Sequence, residues 1–330
     1  MDDIICTLAL KKIPGLSNAH IFILLSHFAN PCDIFNTNKT EFLKIGLRND
    51  IIEILMNSRI VRTSFMHAID EIEEAAKNNI KIITFQSLEY PANLLFVKNK
   101  PPILYYKGNI KENLRFAVAI IGQRKPPDYS CDVTADITKK IGHAGFSVIS
   151  GLAAGIDTVA HKTSVDNNIS TIAYIGSGLL EPVYPSQNEE LYQDIILKKG
   201  AVISELPLHE KLSPKNLVAR DRLQSGSSLA VFAMSSPLSS GTLKTCNFAF
   251  KQKRPIFIPA YKPVLMDNYS NMGLKSLLNK KGVINFNVEN IDLNDIIDEI
   301  RIVYNNLYEE KYEKAGYLLE QPGLFGSSQF

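Results

Sequence analysis

The chain has 330 residues, 45% of them hydrophobic and 21% charged, with a formal net charge of +2; this excludes a disordered or low-complexity chain and leaves room for two compact units of roughly 100–200 residues. No apolar run approaches the roughly 18 residues a membrane helix needs, and the start Met1-Asp2-Asp3 is acidic, so the expectation is a cytoplasmic protein with no membrane or export segment. Cys6, Cys32, Cys131 and Cys246 are far apart with no C-x-x-C pair, so reduced, mostly buried thiols are expected, with neither a zinc site nor a disulfide framework.

Residues 1–65 are predicted as a small helical cap. Ile13-Pro14-Gly15-Leu16-Ser17 is a turn into the apolar stretch 21–28, and Ile45-Gly46-Leu47 repeats the arrangement within 42–55. Helix pairs joined by a glycine turn resemble a helix-hairpin-helix (SAM-like) module, and a purely structural cap fits equally well. Residues 66–115 read as a connector packing on the next domain: a helix over 66–78, an apolar segment at 80–84, then Tyr90-Pro91, Pro101-Pro102 and the strand-like 103–106.

From residue 116 the pattern is regular. Apolar runs at 116–121, 147–150, 171–175, 201–204, 229–233 and 255–259 alternate with segments of helical length. Six buried strands with intervening helices predict an α/β fold, a Rossmann-like doubly wound, mostly parallel sheet over 116–290, with its ligand crevice outside the carboxyl ends of the strands. Residues 290–308 read as an acidic amphipathic helix with Ile291, Ile296, Ile297, Ile300, Val303 and Tyr304 apolar, which either closes the sheet or meets a partner; 291–330 is this helix and a loose tail from 316. About 34 residues follow Ile296, too few for an independent domain.

Charge is segregated along the chain. Eight basic residues fall between Lys211 and Arg254 against Asp221 alone, and from Asn285 to Glu313 eight acids stand against Arg301 and Lys311. Such segregation builds a basic face suited to phosphates. Three small-residue loops follow predicted strands: Gly122-Gln123-Arg124, Gly151-Leu152-Ala153-Ala154-Gly155-Ile156-Asp157 and Ser239-Ser240-Gly241-Thr242. Loops of this kind expose backbone N–H groups and helix N-termini to an anion.

In that order the chain also carries Ser150 through His161, Tyr184-Pro185, Ser204-Glu205-Leu206-Pro207, Arg220-Asp221-Arg222 and Ser240-Gly241-Thr242-Leu243-Lys244-Thr245. The ordered set resembles the DprA/Smf family of DNA-processing proteins over roughly residues 7–290. The resemblance implies a non-enzymatic protein without cofactor or metal that binds single-stranded DNA, forms a homodimer and hands the strand to a RecA-type recombinase in DNA uptake and recombination. On that reading Arg124, Arg220, Arg222 and Lys244 contact phosphates, Gly122, Gly151, Gly155 and Gly241 let the strand approach, Ser150, Ser240 and Thr242 donate hydroxyls, and Asp157 and His161 complete the site. From the residues alone, Asp157 and His161 fit either an acid–base pair or a pair that orients the loop, and Arg220 and Arg222 fit either phosphate contacts or solvated charges. Tyr184 is expected to pack beside Pro185, and Lys251, Lys253 and Arg254 fit the charged end of a helix.

Four positions depart from the family pattern: Asp221 for asparagine, Gln123 for a small hydroxyl residue, Ala233-Met234 where an acid is usual, and Pro259-Ala260 for Pro-Gly. All touch the ligand edge. Two rivals follow: a sensor of nucleotides or nucleotide-derived signals, possible in bacterial defence, and a nucleoside-phosphate hydrolase of the LOG type. The segment at Ser240 lacks the glycine pair and glutamate of the latter, which argues against it.

Overall fold

The computed structural model describes residues 2–110 and 114–315, with side chains to Tyr308; the expected tail from 316 lies outside the described residues. The N-terminal region comprises α1 (Asp2–Lys12), α2 (Asn18–His27), α3 (Lys39–Lys44), α4 (Asn49–Met56) and the long α5 (Ser58–Lys77). Local chemistry sets the helix starts. Ser17 and His20 cap α2 reciprocally, and the Asn57 side chain accepts from the N–H groups of Arg59 and Ile60. That cap starts α5 well before Met66.

Leu10, Ile21, Leu24, Phe42 and Ile52 form a small helical core. The helices are nevertheless not a free-standing cap, because Leu8 and Ala9 of α1 and Ala68 and Ala75 of α5 share a core with Tyr105 and Val202 of the sheet. Cys6 of α1 forms a disulfide with Cys32 in the tight turn that follows α2. This corrects the expectation of four reduced thiols: a separation of 26 residues hid a pair that packing brings to a Cα–Cα distance of 5.3 Å. Cys131 and Cys246 are free.

One sheet of nine strands follows: β1 (Lys81–Thr84), β2 (Ile103–Gly108), β3 (Ala117–Ile121), β4 (Ser147–Ser150), β5 (Thr171–Tyr174), β6 (Ala201–Ser204), β7 (Ala230–Ala233), β8 (Ile256–Ala260) and β9 (Val283–Asn287). Its order is β1-β2-β6-β5-β4-β3-β7-β8-β9. The strands from β3 onward pair in parallel, while β1–β2 and β2–β6 are antiparallel. The six apolar runs are all strands, fully buried or nearly so, as parallel strands covered on both faces must be. Two strands come from the stretch read as a connector. β9 escaped notice because it is a half-exposed edge strand with asparagine at alternate positions, Asn285 and Asn287.

The covering helices are α6 (Asp128–His143), α7 (Ile156–Asp166), α8 (Glu189–Leu197), α9 (Pro214–Gly226), α10 (Gly241–Lys251), the short α11 (Pro263–Met266) and α12 (Met272–Lys275), and α13 (Leu293–Ala315). α13 closes the sheet: Ile296, Ile297 and Ile300 are buried with Ile137 and Ile141 of α6 and with Phe232 and Phe286, and Tyr304 stacks on Phe116 at 5.1 Å. The chain winds outward from β3 to β6, and α9 then carries it back to β7 on the other side of β3. The strand order reverses between β3 and β7, which opens a crevice at their carboxyl ends.

Candidate functional site

The loops after β3, β4 and β7 meet over that crevice, and the first turns of α9 form the facing wall, enclosing a cavity of about 700 Å³. Of the residues singled out in the sequence, Gly122, Arg124, Asp157, Arg220, Ser240, Gly241, Thr242 and Lys244 line it. Ser150, Gly151, Gly155, His161 and Arg222 do not line it, and each has an alternative task.

The Ser150 hydroxyl donates back to the Ile120 carbonyl at 2.7 Å, joining β4 to β3. Gly151 makes room for an arginine, since a Cβ there would lie 2.2 Å from Arg220 Nη1. Gly155 turns the chain at φ +83°, with the Gln123 carbonyl 2.4 Å from where a Cβ would stand, so the second loop fits under the first. His161 is buried, with Nδ1 2.7 Å from Thr171 Oγ1. Arg222 forks onto the Glu205 carboxylate at 2.5 and 2.6 Å and donates from Nε to the Asn99 carbonyl. The reason is helical geometry: at 3.6 residues per turn, positions two apart differ by roughly 200°, so Arg220 and Arg222 cannot face the same ligand.

Arg220 lines the cavity but offers no free fork. Nη1 donates to the carbonyls of Gly151, at 2.5 Å, and Tyr174, while Nε pairs with Asp221 at 3.2 Å. The departure to Asp221 therefore balances a buried guanidinium; burial pushes its carboxyl up, against the pull of Arg220, Lys244 and Arg124. Asp157 accepts from the N–H groups of Gly151 (3.1 Å) and Ala153 (3.4 Å) and so shapes the second loop. Burial pushes its pKa up to about 6, with Arg220 opposing and Asp221 adding to the rise. His161 is pushed down to about 3, by burial first and by Arg220 second. It is neutral at neutral pH, does not line the cavity and ties α7 to β5 through Thr171, so Asp157 shapes the loop, His161 serves the scaffold and the two are not arranged as an acid–base pair over the cavity.

Gln123, another departure on this edge, points inward. Its Nε2 donates to Ser235 Oγ at 2.6 Å and to the Ser270 carbonyl at 3.1 Å, tying the β3 loop to the β7 loop. Exposed charge is left on Arg124, Lys125 and Lys244, which have no carboxylate partner among the described residues. Tyr184, expected to pack, is instead 47% exposed at the rim; its ring lies 5.8 Å from the Arg124 guanidinium and its hydroxyl accepts from Arg124 Nη1 at 3.4 Å. Lys125 went unread in the sequence although it directly follows one of the small-residue loops, and Tyr184 was read there only as a packing residue.

Two helix N-termini complete the lining. Ser240 caps α10 by accepting from the Thr242 N–H, and Ser213 caps α9, with Pro214 in its first turn. Their positive ends add to four cations, Arg124, Lys125, Arg220 and Lys244, against two carboxylates, Asp157 and Asp221. Among the described residues, no histidine or cysteine lines the cavity. Chemically, the arrangement is suited to an anion with a flat group stacked beside it.

Comparison with known proteins gives a consistent picture. The family described as DNA recombination-mediator protein A matches residues 81–296. A protein named Smf from Synechocystis is 32% identical over 271 residues, 81% of this chain and 67% of the relative. The DNA processing protein DprA of Streptococcus pneumoniae is 33% identical over 198 residues, 58% of this chain and 69% of the relative. The chain spans about half to two thirds of the length of the curated relatives it matches. Among solved structures, DprA from Streptococcus pneumoniae aligns over 88% of this chain and 95% of its own, with TM-score 0.64 and 26% identity. DprA from Helicobacter pylori, whose structure concerns its single-stranded DNA binding mode, aligns over 70% of this chain and 97% of its own, with TM-score 0.54 and 25% identity.

Proposed function

The chain belongs to the DprA/Smf family of DNA recombination-mediator proteins, and on that premise we propose that it binds single-stranded DNA across the cavity, without catalysis, and passes the strand as a homodimer to a RecA-type recombinase during DNA uptake or recombination. The observation that carries this reading is the convergence of exposed Arg124, Lys125 and Lys244 with two helix N-termini at the topological switch of the sheet. Arg124 and the two lysines hold backbone phosphates, and Tyr184 offers a π-face to a base. Arg220, Asp157 and Asp221 keep the floor rigid. Recognition built on phosphates and stacking is nearly blind to sequence and sensitive to salt.

The test is anisotropy of labelled oligo-dT of increasing length at two salt concentrations, with duplex and mononucleotides as competitors. Tight, length-dependent, salt-sensitive binding that duplex displaces poorly supports the reading. Absence of binding, or displacement by a mononucleotide, overturns it in favour of a nucleotide sensor.

A further inference from the structure

A second run of unpaired cations begins at the cleft and leaves it. Between Arg222 and Val288 the chain has nine basic residues and a single acid, Asp267. Four of the nine are committed elsewhere: Arg222 to Glu205, Arg254 inward to the Asn93 carbonyl, Lys262 to Glu289 and Lys275 to Asp267. Beside Lys244 this leaves Lys251, Lys253, Lys280 and Lys281, all exposed and without a carboxylate partner among the described residues.

These four come from two segments and meet in one place. α10 ends at Lys251, with Lys253 just beyond, and Lys280 Nζ lies 5.6 Å from the ring centroid of Phe250 on the same helix. The Gly282 carbonyl accepts from the Ile256 N–H at 2.8 Å, which sets Lys281 beside the start of β8. β8 and β9 run parallel to β3 and β7, so this cluster stands at the amino ends of the strands, opposite the cleft and roughly 17 Å from it for five residues at about 3.3 Å each. α10 bridges the distance. Its first turn lines the cleft, and Lys244, Asn247 and Lys251, spaced by three and four residues, form one exposed face along it.

Lysines at the end of a helix are favoured by its dipole, which accounts for Lys251 and Lys253. It does not account for Lys280 and Lys281 from another segment, nor for a stretch from Lys244 to Lys281 whose one acid, Asp267, is already paired with Lys275, where an ordinary surface stretch mixes both signs. We propose that this face of α10 and the four lysines beyond it form a second contact surface for a nucleic-acid backbone, over which a strand held in the cleft continues to the far side of the sheet. The inference rests on the DNA reading of the cleft and extends it from a pocket to a path.

The experiment compares the wild-type chain with the quadruple variant Lys251→Gln, Lys253→Gln, Lys280→Gln, Lys281→Gln, using oligo-dT short enough to fill only the cleft and oligo-dT long enough to pass along α10. Expected are unchanged affinity for the short strand and at least a tenfold loss for the long one at low salt. The salt slope for the long strand flattens by up to about 0.7 per lysine, and arginine at the same four positions retains wild-type binding. Long-strand affinity indifferent to the four glutamines overturns the proposal, as does an equal loss at both lengths. Failure of the cleft reading would look different: short strands would not bind the wild-type chain at all.

Discussion

Two polar regions of this molecule lie on either side of α9 and use charge in opposite ways. At the junction between the N-terminal helices and the sheet, Arg222 is paired with Glu205, Lys12 with Glu71 and His209 with Glu74, and Lys11 Nζ donates to the Glu205 carbonyl. At the cleft, Arg124, Lys125 and Lys244 are exposed and form no ion pair among the described residues. Matched charge at the junction holds two parts of the chain together, whereas unmatched charge at the cleft is free to meet an anion. Arg220 belongs to the first kind although it stands in the second place.

The sharpest way to break this comparison is Arg222→Ala. It strands the Glu205 carboxylate, which is 13% exposed, at the junction, and should cost on the order of 3 kcal/mol of stability in denaturant titration, with little change in DNA affinity of the folded protein. A loss of affinity at unchanged stability would move Arg222 back to the binding site. Arg124→Ala should do the reverse: an unaltered melting temperature, a severalfold weaker affinity at every sequence tested, and a salt slope flatter by about 0.7 for one lost phosphate contact.

The pH dependence separates the floor of the cleft from the scaffold behind it. Asp157 has its folded pKa raised from 3.8 to about 6, so the folded state takes up this proton before the unfolded one does. Its contribution to stability therefore grows as pH falls from above 6 toward 4, and binding of a polyanion should strengthen over the same window as the cleft loses a negative charge. Asp157→Asn should abolish both trends. His161, lowered from 6.5 to about 3, acts oppositely: the unfolded state is protonated first, and stability is lost as pH falls from about 6.5 to about 3. His161→Gln should remove that loss without touching DNA affinity, as measured by acid titration of the two variants side by side. The smallest expected effect is that of Tyr184→Leu, a severalfold loss on single strands that leaves the salt slope unchanged, since it removes stacking and no charge.

Much of this was legible in the sequence. The parallel strands announced themselves as continuous apolar runs because both faces of the sheet are covered, and the three loops were readable because small residues and caps are local signals. The edge strands β1 and β9 were harder: half-exposed strands lack that uniform burial, and their place depends on neighbours far away in the chain. The cleft was read as a set of motifs, and several residues in those motifs, Ser150, Gly151, Gly155, His161 and Arg222, turn out to serve the scaffold. Motif spacing does not distinguish a residue that touches a ligand from one that holds the residue that does.

By itself, then, the sequence determined the alternation of buried strands and helices, the loop chemistry at one edge of the sheet and the segregation of charge, because each of these is carried by residues close together in the chain. The tertiary structure decided the pairing of Cys6 with Cys32, the turning of Arg222 toward Glu205, the closing of Gln123 onto Ser235 and the exposure of Tyr184 beside Arg124. Each of those joins residues that are distant in sequence, and which way a side chain turns is settled by the partner that packing brings within hydrogen-bond reach.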